Sequence, residues 1–258
     1  MYPILFSFGK VTVYTYGFFI AVGFIAAISY VSHILKQTKS GVLTRDELYN
    51  LFFGLIISAI TGARILYILV NFNAFLASPL DIFKIWQGGL VYYGGFIAAI
   101  AFFILYAFKT KKSFLKMSDI VAPALALGHF FGRIGCFFAG CCYGKECALP
   151  WSVAFTNSDS LAVQHVHVHP TQLYEAFANI ALFVFLHFYN KKKHASGMTL
   201  AFYLIIYAVM RFTVEFFRGD FRGEYYLGLS ISQIISLILF ISGLALIVVI
   251  KRRIITNK

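Results

Sequence analysis

Residues 228–250 read GLSISQIISLILFISGLALIVVI, 23 positions without a charge that run straight into Lys251-Arg252-Arg253. A bilayer core takes about 20 apolar residues per helix, so this segment reads as a membrane span. Six more stretches reach that length: 13–35, 50–72, 89–108, 119–140, 172–190 and 198–217. Composition agrees. Apolar residues make up 60% and charged residues 12%, with a mean hydropathy of +0.80, whereas an ordinary globular domain carries about 25% charged residues. A soluble domain of 258 residues has no core large enough to hide that much apolar surface. The first apolar run lacks a basic leader and is followed by further spans, so no cleavable signal peptide is expected. No linker, low-complexity segment or inverted repeat breaks the chain. The expectation is an all-α integral membrane protein, a single polytopic domain over 1–258 with about seven transmembrane helices.

The net charge of +12 resolves by position. Lys36, Lys39 and Arg45 follow the first span, Lys109, Lys111, Lys112 and Lys116 the third, Lys191, Lys192 and Lys193 the fifth, and Lys251, Arg252, Arg253 and Lys258 the last. These fourteen fall on one side; Lys10, Lys84, Lys145, Arg218 and Arg222 fall on the other. The positive-inside rule then puts the C-terminus in the cytoplasm and the N-terminus outside. The basic surplus is a topology signal with some pull toward anionic headgroups, and no nucleic-acid partner is expected.

Arg64, Arg133 and Arg211 remain, all within spans. A guanidinium at helix-centre depth costs roughly 2.5–3.5 kcal/mol on insertion scales and cannot neutralise itself, so each needs an anion or a wet cavity. Arg133 lies in Gly132-Arg133-Ile134-Gly135-Cys136-Phe137-Phe138-Ala139-Gly140-Cys141-Cys142-Tyr143-Gly144. Tyr207, Arg211, Glu215 and Arg218 follow at helical steps of four, four and three and share one face. An internal Arg211–Glu215 salt bridge that only locks helices is the plain alternative. Asp119 reads as a cap for its own helix. In His169-Pro170-Thr171-Gln172-Leu173-Tyr174-Glu175, Pro170 suits a helix start, and the polar side chains read as the lip of a cavity. Gly88-Gly89 and Gly94-Gly95 open the third span, permitting either close ligand approach or small-residue helix packing.

Taken together these segments resemble the prolipoprotein diacylglyceryl transferase family. The matching stretches are Tyr16-Gly17, Gly62-Ala63-Arg64 to Tyr67, Trp86-Gln87-Gly88-Gly89 with Tyr93-Gly94-Gly95, Gly132 through Gly144, His169 to Glu175, and Arg211 to Arg218. The resemblance implies a multi-pass enzyme of the bacterial cytoplasmic (inner) membrane. Its partners would be phosphatidylglycerol and the prolipoprotein signal peptide with its lipobox cysteine, and no cofactor is implied. By the same resemblance Arg133, Arg211, Tyr93 and Glu215 are the catalytic candidates. Tyr16, Arg64, Gly94, Gly95, Cys136, Gly144, Glu175 and Tyr207 would line the substrate site. Fixed guanidinium groups suit the chemistry, because negative charge grows on a departing phosphate oxygen. A paralogue using the same lipid site on another acceptor, or a non-catalytic lipid-binding or redox-sensing protein, would keep the same arginines.

The chain departs from the family pattern at three positions. Cys136 stands where the family has asparagine, Cys141 where it has glutamate, and Tyr93 where it has histidine. A phenol, with pKa about 10, is a poorer base than an imidazole. Cys136, Cys141, Cys142 and Cys147 admit four readings: disulfides stiffening an outer loop, packing of small side chains, a reactive thiol beside Arg133, or a metal site shared with histidines. In the last, His165, His167 and His169 would share one face if the backbone were extended.

Overall fold

The computed structural model describes residues 1–9, 11–38, 41–84, 88–220 and 225–256. Trp86 and Gln87 of the family resemblance, and Lys10, Lys39, Arg222 and Lys258 of the charge pattern, lie outside the described residues. The chain is mostly helical: α1 (Thr15–Thr38), α2 (Arg45–Val70), α3 (Phe72–Ala77), a 3-10 turn (Pro79–Phe83), α4 (Tyr92–Lys109), α5 (Phe114–Ala139), α6 (Thr171–Asn190), α7 (Met198–Glu215) and α8 (Ile231–Thr256). Six of these helices, α1, α2, α4, α5, α7 and α8, are long and apolar enough to cross a membrane. Large side chains such as Phe53, Ile97, Phe177 and Ile241 point outward, more than 60% exposed, as a lipid-facing surface requires. The all-α membrane class read from the sequence holds. The expected fifth span corresponds to α6, which turns Gln172, Glu175 and Asn179 inward and is too polar to qualify by composition.

Two compact units make up the chain: Met1–Ile34 with Ser118–Lys258, and Leu35–Met117. In the first, an N-terminal hairpin pairs β1 (Ile4–Phe8) with β2 (Val11–Tyr14), antiparallel, just before α1. The short strands β3 (Val153–Ala154) and β4 (His167–Val168) pair in the segment between α5 and α6. Neither hairpin was foreseen, because apolar periodicity is a weak signal in such short segments. Ala122, Ala126, Leu182, Leu186 and Tyr203 form a buried cluster among α5, α6 and α7. Asp119 corrects the sequence reading. Helix α5 begins at Phe114, so Asp119 sits in its second turn, and its carboxylate accepts from the N–H groups of Gly197 (2.6 Å) and Leu200 (3.0 Å). It caps α7, not its own helix.

In the second unit a capping box starts α2: Thr44 Oγ1 accepts from the Glu47 N–H at 3.2 Å, and Glu47 Oε2 accepts from the Thr44 N–H at 2.7 Å. Helices α2 and α4 then approach through small residues, as membrane helices do when backbones pack directly. A Cβ on Gly94 would stand 2.3 Å from the Gly62 carbonyl oxygen, and one on Gly95 would stand 2.8 Å from that of Ala59. This contact generates a stability prediction. Gly62→Ala places its new methyl 2.5 Å from the Gly94 oxygen, and overpacking of this kind costs about 1–3 kcal/mol. Thermal unfolding of the detergent-purified protein should show a lowered Tm for Gly62→Ala and little change for Gly128→Ala, where a Cβ meets nothing within 4 Å.

Candidate active site

Glu175 stands at the second turn of α6, 3% exposed. Its Oε2 lies 2.9 Å from Arg133 Nη2 of α5. Its Oε1 accepts from Arg211 Nη1 of α7 at 3.1 Å and from Arg218 Nη1 at 3.2 Å. One carboxylate thus gathers three guanidinium groups from separate parts of the chain. Arg211 also donates through Nη2 to Ser232 Oγ of α8 at 2.9 Å. The same Nη2 stands 2.8 Å from Glu215 Oε2, one helical turn on. That approach is out of line for a hydrogen bond, which leaves the buried Glu215 Oε2 without a donor among the described residues. Arg218 grips Asp220 with two parallel bonds, Nε to Oδ1 at 2.8 Å and Nη2 to Oδ2 at 2.7 Å, the strong bidentate geometry.

Three arginines therefore meet three carboxylates inside the protein. The anion that the sequence analysis sought for Arg133 is, in the first instance, Glu175. The guanidinium groups are not equivalent: Arg133 is 20% exposed, against 10% for Arg211 and 2% for Arg218. Among the described residues Arg133 makes one ion pair, to Glu175, which leaves further N–H donors of its fork for a ligand.

Backbone lacing holds this arrangement. Gly144 N–H donates to the His169 oxygen at 2.9 Å, Lys145 N–H to the Phe217 oxygen at 2.8 Å, and Gly219 N–H to the Tyr143 oxygen at 3.1 Å. Gly144 is required there: a Cβ would stand 2.5 Å from the His169 Cβ and 2.7 Å from the Phe217 oxygen. The segment carrying Arg218 is thereby sewn to the α5–α6 connection. Tyr16 of α1 lies against the arginine helix, where a Cβ on Gly135 would come 3.3 Å from its ring. Tyr207 stacks on Tyr203 with ring centroids 5.6 Å apart and faces His129 at 5.2 Å.

Cys136, in the last turn of α5, meets Cys141 and Cys142 so that all three sulfurs lie within 4.8 Å of one another. All four cysteines are thiols, and Cys147 stands outside this group. Hydrogen bonds from the Cys136 and Cys141 thiols, followed by the nearby Arg218 and Arg133 charges, hold the Cys142 thiol well below the ordinary thiol range. The histidines do not join the sulfurs. A left-handed backbone at His165 (φ 60°) breaks the extended run the sequence suggested. His167 Nδ1 pairs with Ser152 Oγ at 3.0 Å, and His169 Nδ1 with Tyr174 Oη at 3.1 Å.

Arg64, Tyr93, Gly94 and Gly95 belong to the second unit. There the Arg64 guanidinium donates to backbone oxygens of Ile82 (3.0 Å), Gly88 (2.9 Å), Gly89 (3.2 Å) and Asp81, and it packs 5.5 Å from the Tyr67 and Phe75 ring centroids. It lines a cleft of about 260 Å³ beside Asn71 and Lys84. Gly94 and Gly95 are buried, and the close approach they permit is to α2. Tyr93 is half-exposed at the start of α4, edge-on to Tyr92.

Sequence reasoning passed over three partners in the first unit. Asp220, two residues after Arg218, could have been suspected from that spacing. His129, one turn before Arg133, shares its helix face. Ser232, in an apolar segment, carried no signal.

The family model described as prolipoprotein diacylglyceryl transferase matches residues 3–249 of this chain. The chain belongs to the prolipoprotein diacylglyceryl transferase family. It is 41% identical over 244 residues to the phosphatidylglycerol–prolipoprotein diacylglyceryl transferase of Clostridium tetani, covering 95% of this chain and 96% of the relative. To the enzyme numbered 2 of Clostridium perfringens it is 39% identical, covering 91% of this chain and 90% of the relative. To that of Escherichia coli O1:K1 it is 33% identical, covering 97% and 94%.

In this family member the Glu175 bridge makes a definite energetic claim. Removing one partner of a buried charge network costs about 3–5 kcal/mol, because the remaining charges lose compensation. A half-exposed pair costs far less, about 0–1 kcal/mol. Glu175→Gln, which takes the carboxylate from Arg133 and one of two carboxylate partners from Arg211 and from Arg218, should lower the Tm much more than Asp46→Asn on the exposed first turn of α2. Equal Tm values would show that the bridge does not hold α5, α6 and α7 together.

Proposed function

We propose that this protein transfers the diacylglyceryl group of phosphatidylglycerol to the lipobox cysteine thiol of prolipoproteins, at the outer face of the bacterial cytoplasmic membrane. The observation that carries the reading is Arg133: a partly exposed guanidinium with one ion pair, set on a buried charge cluster inside an apolar exterior. The family membership and the names of the relatives point to the same substrates. The chain would act as one polytopic membrane domain of seven spans, α6 included. The heavily basic loops would face the cytoplasm, which puts the α5–α6 connection outside.

In this reading the acceptor thiolate attacks the terminal glyceryl carbon that carries the phosphodiester. The new sulfur–carbon bond forms as the carbon–oxygen bond breaks, and glycerol phosphate departs with the electron pair. Arg133 holds the phosphate and meets the charge growing on the departing oxygen, with Arg211 behind it. Glu175 sets the arginines in place and, by keeping the cluster near neutrality, lets them sit in lipid without unpaired charge. Tyr16 and Tyr207 line the lipid site beside Cys136 and Gly144. Glu215 would hold the Arg211 guanidinium from one helical turn on, and Tyr93 would stand at the position of the family histidine. Within the second unit, Arg64 would meet substrate at its cleft, and Gly94 and Gly95 would keep α4 close to α2 around it.

The test is transfer measured by mass, in vesicles containing phosphatidylglycerol and a lipobox peptide. Loss of one positioned electrostatic donor costs about 10²–10³ in rate, so Arg133→Ala should fall by that factor. Arg133→Lys should recover part of it, because an ammonium keeps the charge and loses the planar fork. An inserted, folded wild-type protein that yields no adduct would overturn the proposal. Tyr93→His should raise the rate if proton removal from the thiol limits turnover; an unchanged rate would assign that step to another group.

A further inference from the structure

Beside the arginine cluster lies a compact set of thiols to which the transfer chemistry gives no chemical step. We propose that Cys136, Cys141 and Cys142 form a binding site for a thiophilic d¹⁰ cation of the Zn²⁺ class. Zinc–sulfur bonds of about 2.3 Å set sulfurs about 3.8 Å apart in a tetrahedral site. The three Sγ atoms already lie within 4.8 Å of one another, so small side-chain rotations close the remaining gap. An all-sulfur set selects soft cations over magnesium or calcium, which prefer oxygen.

The thiols converge because the backbone is held to make them converge. Gly140 (φ 78°) and Cys142 (φ 64°) both adopt the left-handed conformation, which is rare for a residue with a side chain. At Cys142 it is paid for by α6: Thr171 Oγ1 donates to the Cys142 carbonyl at 2.7 Å, and Gln172 Nε2 to the Cys141 carbonyl at 2.8 Å. Both α6 side chains are fully buried. Outer-sphere groups that orient ligands in this way are the usual support of a metal centre. The charges also match. Three thiolates around Zn²⁺ leave one net negative charge, which the nearby Arg218 and Arg133 charges would balance. On binding, each S–H gives its proton to solvent as a metal–sulfur bond forms, so neither oxidant nor reductant is needed. Three sulfurs leave one tetrahedral position open to water. A disulfide, by contrast, would use two of the three thiols and leave the third without a function.

The full-length protein, purified in detergent under reducing conditions and stripped with a chelator, would be given Zn²⁺ alone and desalted. Metal analysis should find about one zinc per chain. Bound zinc should shield Cys141 and Cys142 from a maleimide, read by peptide mass, while Cys147 still reacts. Cys141→Ser/Cys142→Ser should lose the metal, and Cys147→Ser should retain it. If the double variant does not fold, the wild-type shielding pattern decides alone. Substoichiometric zinc, equal labelling with and without zinc, or recovery of two of the three thiols as a disulfide would each overturn the proposal. None of these readouts depends on lipid transfer, so their failure would leave the transferase reading standing.

Discussion

The Glu175 carboxylate is the constraint on which the first unit depends. It accepts from Arg211 and Arg218 through one oxygen and pairs with Arg133 through the other. A guanidinium cannot discharge itself in a low-dielectric interior, so three of them can share a membrane protein only where anions are fixed among them. Glu175 ties α5, α6 and α7 by a condition that apolar packing between membrane helices does not supply, because lipid is as apolar as the helices themselves. Glu215 and Asp220 complete the neutralisation, each beside a different arginine.

This internal balance changes what an incoming phosphate meets. Among the described residues, Arg211 and Arg218 are largely committed to carboxylates and a serine, whereas Arg133 makes one ion pair and is partly exposed. In the proposed reading such a site would bind an anion with one forward guanidinium and keep the others as a fixed positive background. Because those charges are already held in place, little reorganisation accompanies the charge shift of the reaction. The loop after α5 reinforces the same geometry: Gly144, His169 and the 217–219 segment interlock through backbone bonds, so Arg218 cannot swing away without unpicking them.

Cys136, Cys141 and Cys142 form a compact sulfur set. Their carbonyls are gripped by Thr171 and Gln172, in the same first turns of α6 that present Glu175. The sulfur set and the arginine cluster are thus two products of a single helix start.

Much of this was legible in the sequence. The uncharged run 228–250, the six further apolar stretches and the loop lysines determined a polytopic membrane protein, since hydrocarbon admits only long apolar helices at that depth. The helical steps from Tyr207 to Arg218 placed Arg211 and Glu215 on one face, the cost of a guanidinium within a span singled out Arg133, and the polar start of α6 singled out Glu175. Local spacing could not say that Arg133, Arg211 and Arg218 converge on Glu175, since these residues are 36 to 43 positions apart and more along the chain. Nor could it assign Asp119 to α7, give Arg64 to backbone carbonyls, or separate His165, His167 and His169 from the thiols. Periodicity determines which residues must avoid lipid; only the tertiary structure decides which of them meet, because ion pairs and caps between helices depend on packing across the bundle.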